Sequence, residues 1–311
     1  MLVLRGIPEH AAQPSVLTIG NFDGVHRGHQ ALLEMLVRKA RSMQAAATVL
    51  TFEPHPREYF APQDAPARLA SLRDKLLLLS QNGVERVHVC RFDAHLAALH
   101  ADRFIEDVLV RGLGVRHLII GDDFRFGARR QGDFALLAHE GERLGFGVEA
   151  MPTLADGGAR VSSSAVRAAL ADGRLDDAAA LLGRPYSIAG RVTSGRRLGR
   201  SIGYPTANLA LRFRKPALSG VFAVSVEGLA AQRIAGVANL GTRPTVGGDR
   251  PNLEVHLLDW QGDCYGAHLR VHFLHKLRDE ARYDSLDALK AQIRRDEDAA
   301  RAWFAAHPVQ N

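Results

Sequence analysis

Residues Ser15 to His29, SVLTIGNFDGVHRGH, constrain the fold more than any other stretch of the chain. Ser15 to Ile19 is a short apolar, β-branched run, and the residues from Gln30 to Arg41 have the pattern of a helix. Between them Gly20, Gly24 and Gly28 let backbone approach a bulky anion closely. A strand, a glycine-rich turn and a helix start therefore follow in order, and the unpaired N–H groups of a helix start attract phosphate. His26 and His29 fall on one face of the first turn, where each can donate a hydrogen bond to a phosphate oxygen. Alone, the pair also describes two polar surface residues at a helix N-terminus. The context favours a nucleotide triphosphate grip. Metal ligation is not expected, because the zinc-protease signature spaces its histidines four apart beside a glutamate.

With 311 residues and ordinary apolar and charged fractions, the chain accommodates two domains, each with its own core. Cys90 and Cys264 lie far apart and outside any CxxC arrangement, so neither a disulfide framework nor a zinc site is expected. The first residues, MLVLRGIPEH, lack a signal-type apolar core, and no window approaches the length of a membrane span. A cytoplasmic location fits, with no membrane partner. The net charge of +6 raises a nucleic-acid reading, but acidic residues interleave with basic ones and aromatics are sparse. Small phosphorylated ligands account for the excess equally well, so no nucleic-acid partner is expected; self-association stays open.

The first half alternates strand-like runs with amphipathic segments: Ala46 to Phe52 then Ser71 to Gln81, Arg86 to Phe92 then Ala101 to Arg111, His117 to Ile120 then Asp133 to Leu144. This βαβ rhythm predicts a Rossmann-like parallel sheet with helices on its faces and ligands at the carboxyl ends of its strands. Ser162 to Ser164 open a short helix ending at Gly173, and Leu175 to Leu182 form another. The Gly183-Arg184-Pro185 break divides the chain into domains 1–183 and 184–311. From Tyr186 onward, short strands separated by glycine, proline and asparagine predict an antiparallel β-barrel. Ser285 to Phe304 reads as an amphipathic helix packed on that barrel through Leu286, Leu289, Ile293, Trp303 and Phe304.

Two further clusters lie at the ligand end of the expected sheet. Gly121-Asp122-Asp123-Phe124-Arg125-Phe126-Gly127 follows a strand directly; its phenylalanines are equally well core residues flanking an exposed arginine. Arg160, the serine run and Arg167 can hold a polyphosphate, although an ordinary serine cap explains the serines alone. Neither GxxxxGK[ST] nor GxGxxG occurs, so nucleotidyl transfer fits better than P-loop hydrolysis or dinucleotide binding. That chemistry asks for alignment and charge stabilisation more than for reactive side chains.

The motifs NFDGVHRGH, TFEPHP, GDDFRFG and RVSSSAVR, in this order, resemble the adenylyltransferase half of the bacterial bifunctional riboflavin kinase/FAD synthetases. Residues Gly199 to Asn208, Asn239 to Thr245 and Leu253 to His256 resemble that family's kinase half, so the likeness covers essentially the whole chain. The resemblance implies phosphorylation of riboflavin to FMN in the C-terminal domain and adenylylation of FMN to FAD in the N-terminal one. Both use ATP and Mg²⁺, and the second releases pyrophosphate. It implies that Asn21, His26, His29, Asp123, Arg160, Ser163, Ser164 and Arg167 bind ATP, and that Phe52, Pro54, His55 and Pro56 border the flavin. In the kinase half it implies ATP and flavin contacts from Gly199, Arg200, Pro205, Asn239, Arg243 and Arg278. Asp123, Ser194 and Arg282-Tyr283 depart from the family's pattern.

The barrel residues support the same chemistry independently. Thr206 and Asn208 offer hard oxygen ligands suited to Mg²⁺ carried with ATP. Glu254, expected on a strand and pointing into the barrel, is placed to take the proton of an alcohol as the phosphoryl group transfers, although taken alone Pro205 to Asn208 also describe a turn and Glu254 an exposed strand residue. Two rivals remain: an adenylyltransferase with an unrelated appended barrel, and a catalytically silent flavin- or RNA-binding module.

Overall fold

Upstream of the histidine motif, β1 (Leu2–Arg5) begins a sheet in which every pairing is parallel. The computed structural model describes residues 1–152, 155–156, 159–193, 203–211, 215–243 and 250–309, with the side chains of 155, 156, 159, 242, 243 and 250 left aside. Within these the chain divides into two compact units: Met1–Pro66 with Leu72–Ser162, and Ala67–Ser71 with Ser163–Asn311.

In the first unit, β2 (Ser15–Ile19), β3 (Ala46–Glu53), β4 (Arg86–Arg91), β5 (Val115–Gly121) and β6 (Gly147–Met151) join β1 in the order β1-β4-β3-β2-β5-β6. All of β2 is buried, as a central parallel strand covered on both faces must be. The connections are helical: α1 (Arg27–Ser42), α2 (Pro56–Phe60), α3 (Leu72–Gln81), α4 (Ala94–Ala98), α5 (Ala101–Arg103) running into a π-helical stretch Phe104–Gly112, and α6 (Phe134–Leu144). Helix α1 buries Leu32, Leu33, Leu36 and Ala40, spaced for one face, and places Lys39 and Arg41 near its negative carboxyl end. A two-residue ladder, β7 (Ala155–Asp156) with β8 (Ala159–Arg160), closes the unit.

The second unit begins with α7 (Ser163–Ala171) and α8 (Leu175–Leu182), which ends on Gly183 in the left-handed conformation. Val166, Ala169, Leu170, Ala178 and Leu182 share one core with the barrel residues Ile188, Phe222 and Phe273. Strands β9 (Ser187–Thr193), β10 (Ala207–Leu209), β11 (Gly220–Glu227), β12 (Ile234–Arg243), β13 (Arg250–Leu257) and β14 (His268–Arg278) close an antiparallel barrel in the order β10-β13-β12-β11-β14-β9. Helix α9 (Leu286–Ala306) is capped by Ser285, whose Oγ accepts the Ala288 N–H at 3.1 Å. It meets the barrel through Ala300, Trp303 and Phe304 against Ala223, Leu258 and Leu277, whereas Leu286 stays 49% exposed. The apolar stripe expected from Leu286 onward therefore seals the barrel only in the later part of the helix.

Candidate functional site

In the first unit the turn between β2 and α1 is bent sharply. Phe22, Gly24 and Val25 all have positive φ, of 48°, 82° and 41°. A β-branched residue resists this conformation, and such outliers collect where a loop is held for a task. The turn is fixed by Val25, whose carbonyl accepts the Gln30 side-chain amide at 2.9 Å. Gly28 sits in tight space: a Cβ there would lie 3.2 Å from the His26 ring and 3.3 Å from the Val161 carbonyl oxygen, so a neighbour would have to give by a few tenths of an ångström.

His26 is the N-cap of α1, its Nδ1 accepting the His29 N–H at 3.3 Å. That bond fixes Nδ1 as the acceptor and leaves the proton of the neutral ring on Nε2. The His29 ring stacks on it with centroids 3.7 Å apart. Burial pushes His29 well below its ordinary value of 6.5, and the charges of His26 and Lys75 lower it further. His29 Nδ1 and Asn21 Oδ1 are both buried without a hydrogen-bond partner within the described residues. Polar atoms left this way at the carboxyl end of a central strand suit a ligand that brings its own donors and acceptors.

The neighbouring strand end carries aromatic side chains. The Glu53–Pro54 peptide is cis. Pro56 opens α2, and His55 is its cap: His55 Nδ1 accepts the Arg57 N–H, while the His55 N–H donates to Glu58. Phe52 meets Phe92 edge-on at 5.8 Å, and Tyr59 and Phe60 each lie 5.5 Å from the same ring. Tyr59 and Phe60 remain 39% and 66% exposed, an aromatic surface open to a planar partner. The TFEPHP motif signals the place. Tyr59, Phe60 and Phe92 went unrecognised in the sequence because no fixed spacing ties them to it.

Asp123 and Arg160 meet each other: Arg160 donates to Asp123 at 2.5 Å across an exposed pair. Phe126 is a core residue with Phe124 stacked on it at 5.7 Å, while Arg125 is exposed. Ser163, Ser164 and Arg167 lie on α7 in the second unit, where Arg167 donates to the Ala67 carbonyl at 2.6 Å.

In the barrel, Asn208 pairs with Glu254 across β10 and β13, and Glu254 pairs with Asn239 across β13 and β12. Directly opposed residues share a face. That face is the outer one: Leu253 and Val255 fill the interior, so Glu254 between them points away from it, contrary to the expectation from sequence. Glu254 accepts the Asn252 side-chain amide at 2.8 Å. The Asn208 amide donates to the Thr206 carbonyl at 3.4 Å, and the Pro205 carbonyl lies 2.9 Å from His256 Nδ1. Glu280 accepts a hydrogen bond from Asn239 and packs on Gly241, and its burial pushes its carboxyl up from the ordinary range. Arg278 is committed elsewhere: it donates twice to the buried Asp296 of α9, at 2.8 and 2.7 Å. Gly199, Arg200 and Ser194 lie outside the described residues, and Arg243 is described as strand backbone alone. Among the described residues no group of three or more His, Cys, Asp and Glu side chains could hold a metal, and no helix is long and apolar enough to cross a membrane.

A family model described as FAD synthetase matches residues 8–165, and one described as riboflavin kinase matches residues 182–304. A bifunctional riboflavin kinase/FMN adenylyltransferase of Escherichia coli strain K12 is 52% identical over 98% of each chain. A protein of the same description from Pseudomonas fluorescens is 50% identical, again over 98% of each. The solved structure of a macrolide-efflux protein from Streptococcus pneumoniae superposes with a TM-score of 0.82 at 29% identity, covering 97% of this chain and all of the other. With both halves matched in order, and relatives sharing half their residues over nearly the full length, the chain belongs to the bifunctional riboflavin kinase/FMN adenylyltransferase family.

Proposed function

We propose that the two reactions of this family are carried out by separate sets of residues, riboflavin phosphorylation within 184–311 and FMN adenylylation within 1–183. The observation that carries the reading is the pair of buried, unpartnered atoms, His29 Nδ1 and Asn21 Oδ1, on the turn that starts α1. In adenylylation, an oxygen of the FMN phosphate attacks the α-phosphorus of ATP, a new O–P bond forms, and pyrophosphate leaves with the electrons of the broken bond. His26 Nε2–H and His29 then donate to the phosphate oxygens on which charge builds, and the N-terminus of α1 adds its N–H groups. Asn21, Asp123 and Arg160 complete the ATP contacts of this unit. Phe52, Pro54 and Pro56, together with Tyr59, Phe60 and Phe92, offer the flavin an apolar, aromatic border, while His55 holds α2 in place.

In the kinase half, Glu254 accepts the proton of the riboflavin alcohol as its oxygen bonds to the γ-phosphorus and ADP departs. The register supports this by setting Asn208, Glu254 and Asn239 side by side on one face. The Thr206 hydroxyl and the Asn208 amide oxygen, two residues apart, with the Glu254 carboxylate opposite Asn208 on the next strand, fit a hard divalent cation, so Thr206 and Asn208 would hold Mg²⁺, which supplies charge neutralisation to the phosphates. Gly199, Arg200, Pro205 and Arg243 belong to the same proposal, and Arg278 serves it by anchoring the segment that bears Glu280. A cytoplasmic location completes the reading: both cysteines are free, and burial pushes Cys90 up to about 11.

Glu254→Ala should stop FMN formation and spare FAD formation from supplied FMN; His29→Ala should do the reverse. An equimolar mixture of the two variants should then convert riboflavin to FAD. Failure of the mixture, with each variant active in its retained step, would contradict the division of labour.

A further inference from the structure

Lys75, on α3, is one of the largest fully buried side chains of the molecule, with 1% of its surface exposed. A lysine in such a place is expensive unless its charge is used or compensated. Its Nζ donates to Thr51 Oγ1 at 3.4 Å, and the Thr51 hydroxyl donates in turn to the Asn21 carbonyl at 3.4 Å. Thr51 is itself buried, near the carboxyl end of β3, and Asn21 opens the bent turn that leads to His26. A side chain from the third helix thus reaches under the sheet's ligand end and ties β3 to the histidine turn. Its charge also acts on His29, which it helps to keep unprotonated. With 1% of its surface exposed, the Lys75 side chain is largely shielded from solvent, where a charge acts more strongly than in water.

We propose that Lys75 is a positioning residue for adenylyl transfer: through Thr51 it fixes the Asn21–His26 turn, and its buried ammonium supplies a positive charge that acts on His29. This rests on the reading of His26 and His29 as phosphate-binding groups. The charge costs no reorganisation when the α-phosphate and departing pyrophosphate gain negative charge, which is the condition for effective electrostatic stabilisation.

The test uses the full chain, whose riboflavin kinase activity reports folding. Lys75→Met should lower kcat for FAD formation from FMN by about tenfold or more, with KM for FMN and ATP little changed and the kinase rate retained. By NMR, the His29 ring, faced by His26 and Lys75, should take up its proton at higher pH in Lys75→Met than in the parent. Thr51→Val, which keeps the ammonium and cuts the tie to Asn21, should also lower kcat while leaving the His29 titration in place; it serves where Lys75→Met fails to fold. Unchanged kcat in either folded variant, or an unmoved His29 titration in Lys75→Met, overturns the proposal. His29→Ala in the same assay separates the two readings: if it leaves FAD formation intact, the histidine assignment itself fails.

Discussion

Asp296 of α9 receives two hydrogen bonds from Arg278 at the end of β14, at 2.8 and 2.7 Å, and Gln292 adds a third at 2.8 Å. Removing the carboxylate leaves a guanidinium partly buried without its partner, so Asp296→Ala should destabilise the protein by about 3 kcal/mol. Urea unfolding followed by the fluorescence of Trp260 and Trp303 checks this. A matched apolar pair, Arg278→Met with Asp296→Leu, should recover most of the loss.

His26 caps α1 and His29 does not, although the two rings stack. His26→Ala should therefore cost about 1 kcal/mol of stability in addition to FAD synthesis, a loss expected of a removed N-cap. His29→Ala should lose about a hundredfold in FAD formation with no capping penalty. Parallel calorimetry and rate measurements on the two variants distinguish the roles.

A Cβ at Gly28 would crowd the His26 ring at 3.2 Å and the Val161 carbonyl oxygen at 3.3 Å. Gly28→Ala should displace the ring or the helix start and lower FAD formation by about tenfold or more, since small misplacements of positioned groups are costly. The kinase rate of the same protein should be unchanged.

Burial holds His29 well below 6.5, and it pushes His272 down to about 4 although Glu227 lies 3.0 Å away. The unfolded chain takes up these protons near 6.5 and the folded chain does not. Stability is accordingly full above 6.5 and is lost as the pH falls from there toward about 4. Urea midpoints at about pH 7.5 and about pH 5 should show the decline, and His272→Gln should reduce it.

Much of this arrangement is legible in the residues. The apolar run before Gly20 specifies a buried central strand, and the turn chemistry after it marks the ligand end of the sheet. The edge strands β1 and β6 are harder to read, being short and half-exposed, with weak apolar patterning. Strand β10 has three residues and starts within the Pro205 to Asn208 stretch, which by itself has the residues of a turn. The facing of Glu254 follows from the alternation of Leu253 and Val255, a period-two signal present in the sequence but outweighed by the expectation of a site inside the barrel. Asp296 and Lys75 could not be recognised, since each looks like one more charge on an amphipathic helix. Only tertiary contact with Arg278 and Thr51 distinguishes them.

The most direct test is a time course of the purified protein with riboflavin, Mg²⁺ and ATP, resolving FMN and FAD, run beside His29→Ala and Glu254→Ala. Both products are expected from the parent, FMN alone from His29→Ala, and no product from Glu254→Ala until FMN is supplied. Loss of both steps in either single variant, or FAD made by His29→Ala at the parent rate, would contradict this division of labour.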